Sequence, residues 1–227
     1  MGISTKILHP SNLIGSWNGN SYDGNYFIDR ARNCNLTKGT GQGVIQSKIG
    51  KGINCAGSSY GAEGLGGLSY NIINATIILK FTFKSSSAYN GIFSYTNDAG
   101  SNVLFLYKEE TNKMRFYIQK SGYGTTLGFK FDYTFEDGKY YEIPIVLGTG
   151  GNFALVNGNL CNLLYTNGNQ YTEESFIRVY EYSTMKIVIG DLCQAYPSPY
   201  QGVIDYVEVY NCRHTEKELA LMYNFKK

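Results

Sequence analysis

The stretch Gly202-Val203-Ile204-Asp205-Tyr206-Val207-Glu208-Val209-Tyr210 constrains this chain more than any other. Side chains alternate across an extended strand, so Val203, Asp205, Val207 and Val209 are expected on one face and Ile204, Tyr206, Glu208 and Tyr210 on the other. Thr215-Glu216-Lys217-Glu218-Leu219 follows shortly after. There the Thr215 hydroxyl can accept from the free amides of a helix start while Glu218, three residues on, reaches back, which is a capping box. Leu219, Met222 and Tyr223 continue at helical spacing. A strand that closes a sheet and turns into a short capped helix is therefore predicted.

Upstream, Thr76 to Phe83 alternates Ile77, Leu79, Phe81 and Phe83 with Thr76, Ile78, Lys80 and Thr82, the pattern of a strand with one buried face. Ile92 to Tyr95 and Val103 to Tyr107 read as further strands joined across Asn97 to Gly100. Met114, Phe116 and Ile118 oppose Arg115, Tyr117 and Gln119, and Tyr141, Ile143, Ile145 and Leu147 form another inward row. Pro144 has no amide to give a ladder, so an edge or a bulge is expected there. Phe153 to Val156 and Leu160 to Leu164 flank Asn157-Gly158, a pair suited to a type I′ hairpin because both positions tolerate positive φ. Met185 to Ile189 adds one more strand.

The C-terminal strand and helix resemble the signature of the laminin-G-like and concanavalin-A-like lectin and glucanase domains, a G-x-I-D-x-V-x-I/V-Y strand followed by an L-x-x-x-Y helix. Asn12-Leu13-Ile14-Gly15-Ser16-Trp17 resembles that family's opening strand, and Gly50-Lys51-Gly52-Ile53-Asn54-Cys55-Ala56-Gly57-Ser58-Ser59-Tyr60 its GKALNFDGSSY segment. Thr76 to Phe83, Asp137-Gly138-Lys139-Tyr140 and Leu155-Val156-Asn157-Gly158 fall in the family's order. The resemblance implies an all-β fold, an antiparallel two-sheet jelly-roll sandwich with a short C-terminal helix. Residues 12–227 are then one domain; residues 1–11, carrying Ile3, Ile7 and Leu8 ahead of Pro10, are an N-terminal extension expected to dock on a neighbouring subunit or a carrier protein.

With 227 residues, 43% hydrophobic and 17% charged, the chain has the material for one two-layer core. Its formal charge of +2 creates no field that would draw nucleic acid, and Lys and Arg do not cluster among aromatics. The longest apolar runs are strand-length, so membrane insertion is not expected. Cys34, Cys55, Cys161, Cys193 and Cys212 are scattered and odd in number, which fits reduced, packed thiols better than a disulfide framework or a zinc site.

Catalytic patterns are missing from the sequence. Glycoside hydrolysis needs two carboxylates about 5 to 9.5 Å apart, and the E-x-D-x-x-E arrangement of sandwich hydrolases does not occur. Asp205 and Glu208 should point to opposite faces, while Glu109-Glu110 and Glu173-Glu174 read as solvated turns. His9 and His214 lack a neighbouring nucleophile motif and read as surface residues. Asp205 sits in a row of valines and so needs a partner. That partner is either calcium, which relatives of the resembled family bind through Asp and Asn oxygens and for which Asp23, Asp29 and Asn33 are the companions, or the amides and hydroxyls of the N-terminal segment. Tyr95, Tyr123, Tyr196 and Tyr200 lie in or beside Gly-, Asn- and Pro-containing connections. They could stack on sugar rings there, or serve simply as strand and interface residues.

The reading that reconciles these features is a non-enzymatic binding or structural module. A surface-type fold without a signal peptide, with unpaired cysteines, fits a bacteriophage virion structural or receptor-binding protein, assembled in the host cytoplasm and multivalent toward a surface glycan or other virion proteins. A carbohydrate-binding domain of an exported protein, at the cell surface or outside it, is one alternative. A glycan hydrolase or lyase with a nonstandard site is the other.

Overall fold

The computed structural model describes residues 9–58, 60–65, 74–85, 89–96, 103–109, 112–120, 124–167, 186–192 and 197–224. In chain order the strands are β1 (Leu13–Asn18), β2 (Tyr26–Phe27), β3 (Leu36–Thr37), β4 (Gly43–Ser47), β5 (Gly50–Asn54), β6 (Ala62–Leu65), β7 (Ala75–Thr82), β8 (Asn90–Thr96) and β9 (Val103–Lys108). They continue as β10 (Met114–Lys120), β11 (Gly124–Phe131), β12 (Tyr140–Leu147), β13 (Phe153–Val156), β14 (Asn159–Cys161), β15 (Leu163–Asn167), β16 (Lys186–Ile189) and β17 (Val203–Tyr210). One helix, α1 (Glu216–Asn224), follows.

These strands form two antiparallel sheets. The eight-stranded sheet runs β14-β13-β12-β7-β17-β5-β4, with β1 added against β17, and the nine-stranded sheet runs β15-β11-β10-β9-β8-β16-β6-β3-β2. The all-β two-sheet sandwich expected from the alternation is what the chain adopts. Ile77, Leu79, Phe81, Phe83, Ile143, Ile145, Val207 and Val209 are all buried, and they meet Phe93, Phe116, Phe129 and Ile189 of the other sheet in one apolar core. Trp17 is fully enclosed in this core, its indole N–H donating to the Cys34 carbonyl at 2.7 Å.

Strand β17 departs from simple alternation at one place. In its ladder with β7, Ile204 faces Phe81 and Tyr206 faces Lys80, so Asp205 is the unpaired extra residue of a bulge. The bulge reverses parity, which puts Ile204 in the core with Val207 and Val209. Asp205 consequently does not share the core row of valines. It lies beside Gly52, where its Oδ1 would sit 3.3 Å from an added Cβ. It is only 1% exposed and neither oxygen has a hydrogen-bond partner, so the expected tie to the N-terminal segment is not made. Burial raises its pKa, and the nearby Ser47 hydroxyl and Lys80 ammonium pull the other way.

The outer face of the eight-stranded sheet is covered by α1 at one end. Leu219 and Met222 pack on Ile78, Val146, Leu155 and Tyr210. Elsewhere on that sheet Lys80 pairs with Glu142 at 3.1 Å, both buried, and Tyr206 and Tyr210 donate to the Glu208 carboxylate. Glu208 is therefore tied down by two phenols. The capping box is formed as predicted: Glu218 N–H donates to the Thr215 hydroxyl at 3.2 Å, and Thr215 N–H to the Glu218 carboxylate at 2.7 Å.

Three other expectations are corrected. Pro144 lies in β12 between β7 and β13 rather than at an edge. The amides of Glu142 and Val146 point toward β13, bonding Asn157 Oδ1 at 2.8 Å and lying opposite Phe153, and the missing proline donor falls in the gap between them. Leu160 to Leu164 is two strands, β14 and β15, and the chain changes sheets at Asn162. His214 is buried, with its ring edge-on to Tyr210 at 4.6 Å between centroids, whereas His9 is exposed. Asn157 and Gly158 both take positive φ, as the hairpin requires. Of the five cysteines, Cys34, Cys55, Cys161 and Cys212 are in no disulfide and Cys193 lies outside the described residues. No helix among the described residues is long and apolar enough to cross a membrane.

Val207→Asp should lower stability by about 4 kcal/mol or more, because a charge without a partner enters the core. Urea unfolding will measure it. Thr215→Ala should cost about 1 kcal/mol. The Thr215 amide, with His9 assisting, lowers the Glu218 pKa from 4.5 to about 2. A depressed carboxylate stabilises the fold above its unfolded pKa and loses that contribution as pH falls through the folded one. The drop in melting temperature between pH 4.5 and 2 should thus be smaller in Glu218→Gln, which has no carboxylate to protonate, than in the parent.

Candidate functional site

Two of the tyrosines expected to present to sugars are withdrawn from the surface. Tyr95 lies on the inner face of β8 and is 1% exposed. Tyr200 is fully buried, its hydroxyl donating to the Thr82 carbonyl at 2.7 Å and accepting from Lys84 N–H at 3.0 Å. Flanking glycine and proline say nothing about burial. Tyr123 and Tyr196 lie outside the described residues.

The oxygen set expected for calcium is used otherwise. Asp29, buried, accepts four backbone amides: Ser16 at 2.8 Å and Ala31 at 2.9 Å on one oxygen, Asn33 at 2.9 Å and Cys34 at 3.0 Å on the other. Those N–H dipoles offer an anion a cradle and repel a cation. The Asn33 side chain donates to the Ile14 carbonyl at 2.9 Å. Exposed Asp23 accepts from the Asn25 and Tyr26 amides, which lowers its pKa. Asp205 sits apart in its bulge. Among the described residues no group of three or more His, Cys, Asp or Glu could hold a metal ion.

Aromatic and charged side chains gather instead on the outer face of the nine-stranded sheet. Met114, Phe116 and Ile118 of β10 point into the core, so Arg115, Tyr117 and Gln119 point out. Arg115 stands opposite Tyr107 of β9 and opposite Lys130 of β11, making one row across three strands. Its Nη2 donates to Thr166 Oγ1 at 2.9 Å, its Nη1 lies 3.4 Å from Glu109, and its guanidinium is 5.7 Å from the Tyr117 ring centroid. Lys130 reaches the other Glu109 oxygen at 2.8 Å. The Tyr117 hydroxyl donates to Gln119 Oε1 at 2.8 Å. Tyr89, 47% exposed, stands edge-on to Tyr107 at 5.9 Å.

Two cations thus share one carboxylate and leave the cluster a single net positive charge. Arg115 Nε is buried without a hydrogen-bond partner. Burial raises the Tyr107 pKa, opposed by the Arg115 charge, so its hydroxyl stays a donor at neutral pH. Glu109, expected in a solvated turn, is only 9% exposed because both cations close over it. The outward row of β10 is readable in the sequence, but which outward row meets which neighbour depends on strand order.

No family model and no curated protein sequence matches this chain. Solved structures do. Domain 4 of AbnA, a GH43 extracellular arabinanase from Geobacillus stearothermophilus in complex with arabinotriose, is similar with a TM-score of 0.69 and 15% identity over 93% of this chain and 98% of that one. The Ruminococcus gnavus IT-sialidase CBM40 bound to alpha2,3 sialyllactose is similar with a TM-score of 0.57 and 15% identity, over 76% and 96%. The Trypanosoma rangeli sialidase in complex with sialic acid matches at a TM-score of 0.61 and 14% identity, and this chain spans about a third of its length (33%). At such identities the likeness establishes a β-sandwich fold and nothing finer.

Asp29→Ala should cost about 3 kcal/mol or more, since several buried amides lose a charged acceptor at once. Adding EDTA should leave the melting temperature of the parent chain unchanged. A rise on adding calcium would reverse the assignment of Asp29 as a structural anchor.

Proposed function

We propose that this protein is a non-enzymatic glycan-binding module whose contact surface is the Arg115 row of the nine-stranded sheet, and that it takes an acidic saccharide. The observation that carries this reading is the juxtaposition of a guanidinium whose side chain is 19% exposed with Tyr89, Tyr107 and Tyr117 on an outward sheet face. Aromatic rings offer a stacking surface to the C–H faces of a sugar, and the guanidinium fork suits a carboxylate. The net positive charge favours an acidic sugar over a neutral one. Similar folds in solved structures carry arabinotriose and sialyllactose, which supports a saccharide as the ligand class.

A binding role rather than catalysis is supported by the state of the acids. Glu109 is committed to Arg115 and Lys130, and Glu208 to Tyr206 and Tyr210. The setting we propose is a virion or comparable particle on which many copies act together. A shallow sheet-face site binds weakly alone, and repetition raises effective concentration without new contacts. The laminin-G-like resemblance of the C-terminal strand and helix belongs with this proposal.

Calorimetric titration with 3′-sialyllactose and with a uronate-containing oligosaccharide should show saturable, millimolar-class binding that lactose does not reproduce. Arg115→Gln should weaken it at least tenfold, about 1.4 kcal/mol, and Tyr117→Ala by a similar factor. Binding indifferent to Arg115, or cleavage of the saccharide by the purified chain, would overturn the reading.

A further inference from the structure

A cleft of about 430 Å3 opens at the other end of the nine-stranded sheet, a volume within the range of small-ligand sites. Thr37, Lys38 and Thr40, from β3 and the loop after it, face Tyr60 and Glu63, from β6 and the loop before it. Thr37 and Glu63 are paired across the β3–β6 ladder, so the floor of the cleft is sheet.

Both walls are fastened from behind by buried polar side chains. Gln42 accepts from Gly39 N–H at 3.0 Å and donates to the Ile189 carbonyl of β16 at 3.1 Å. Asp191, just past β16, accepts from Gly61 N–H at 3.3 Å, from Leu192 N–H at 2.7 Å and from Ser198 N–H at 2.6 Å. The loops approach so closely that a Cβ on Gly39 would lie 2.1 Å from the Tyr60 carbonyl oxygen, and one on Gly61 2.8 Å from that of Ile189. Only glycine fits at either place. A cleft held this way loses little freedom when it is filled, which favours binding.

The chemistry inside differs from the Arg115 row. Tyr60, 46% exposed, supplies an aromatic surface. Thr37, Thr40 and Tyr60 supply hydroxyls, and Lys38 and Glu63 carry opposite charges, with Glu63 also 3.7 Å from Lys186. The lining is therefore polar and close to neutral. It does not suit an anion, and it would leave an apolar ligand facing unsatisfied hydroxyls. We infer that this cleft is a second saccharide subsite and that it takes a neutral sugar unit, with its C–H face on Tyr60 and its hydroxyls toward the two threonines, Lys38 and Glu63.

The cleft is separate from the Arg115 row. Strand β6 is four ladder steps from β10, about 19 Å at roughly 4.8 Å per step. Between them Ser94 and Thr96 of β8 and Val188 of β16 are outward and buried, and Lys186 is 14% exposed. The inference accordingly goes beyond the proposed function and holds whether or not Arg115 binds an acidic sugar.

The test is a two-dimensional NMR titration of the full chain with four neutral probes: arabinotriose, maltotriose, cellotriose and lactose. At least one should shift the amides of Lys38, Gly39, Thr40 and Gly61 saturably. Tyr60→Ala and, separately, Thr40→Val should each weaken that binding at least tenfold, while Arg115→Gln leaves it unchanged. Thr40 is exposed, so Thr40→Val decides the matter should Tyr60→Ala lower the melting temperature. The inference is overturned if none of the four probes moves these amides, or if the shifts persist at parent affinity in Thr40→Val. Loss of 3′-sialyllactose binding in Arg115→Gln together with failure at the cleft would leave the proposed function standing and remove only this subsite.

Discussion

Strand β17 is the member on which the sandwich depends. On one side it pairs with β7 over nearly its whole length, and on the other it serves two strands in succession, β5 near its start and β1 toward its end. Two partners can share one side because the bulge at Asp205 bends the strand between them. Ladder bonds from β17 therefore hold together the opening strand, the β4–β5 hairpin and the central strand β7. These are the most distant pairings in sequence, and their closure fixes the chain reversals between them.

The same strand shows how ionic and apolar burial divide the eight-stranded sheet. Its inner face contributes Ile204, Val207 and Val209 to the common core. Its outer face carries Glu208 between two tyrosine hydroxyls, near the Lys80–Glu142 pair and the cation–π contact of Lys80 with Tyr206 at 5.6 Å. Buried pairs of this kind add little net stability but penalise a misplaced strand heavily. Among the described residues, the end covered by α1 is the part that is apolar on both faces. The eight-stranded sheet is thus largely committed to structure, and the nine-stranded sheet keeps the outward aromatics, the partly exposed Arg115 and the polar cleft.

Local features were legible in the sequence. Thr215 and Glu218 act within one helical turn, and Asn157-Gly158 acts within one hairpin, so each could be read without knowing the fold. The alternation of Thr76 to Phe83 likewise gave the correct buried face. Asp205 was misplaced because period-two reasoning assumes an unbroken ladder, and a bulge is set by the partner strand. Tyr95 and Tyr200 were misread because neighbouring glycine and proline report chain direction, not depth. Arg115, Tyr117 and Gln119 were visible as a row, yet their meeting with Tyr107, Lys130 and Thr166 needed strand order. The cleft is least legible of all, since the Gln42 bond to Ile189 joins residues 147 apart in sequence.

The capping box has one further participant. His9 Nε2 lies 3.0 Å from the Glu218 carboxylate and its ring stands edge-on to His214 at 5.1 Å, while Asn211 N–H donates to the Asn12 carbonyl at 2.9 Å. The beginning and the end of the described chain are thereby pinned to each other where α1 covers one end of the eight-stranded sheet. A domain that enters and leaves through a single doorway can be spliced into a surface loop of a host protein, or repeated along a tandem array, without prising its sheets apart.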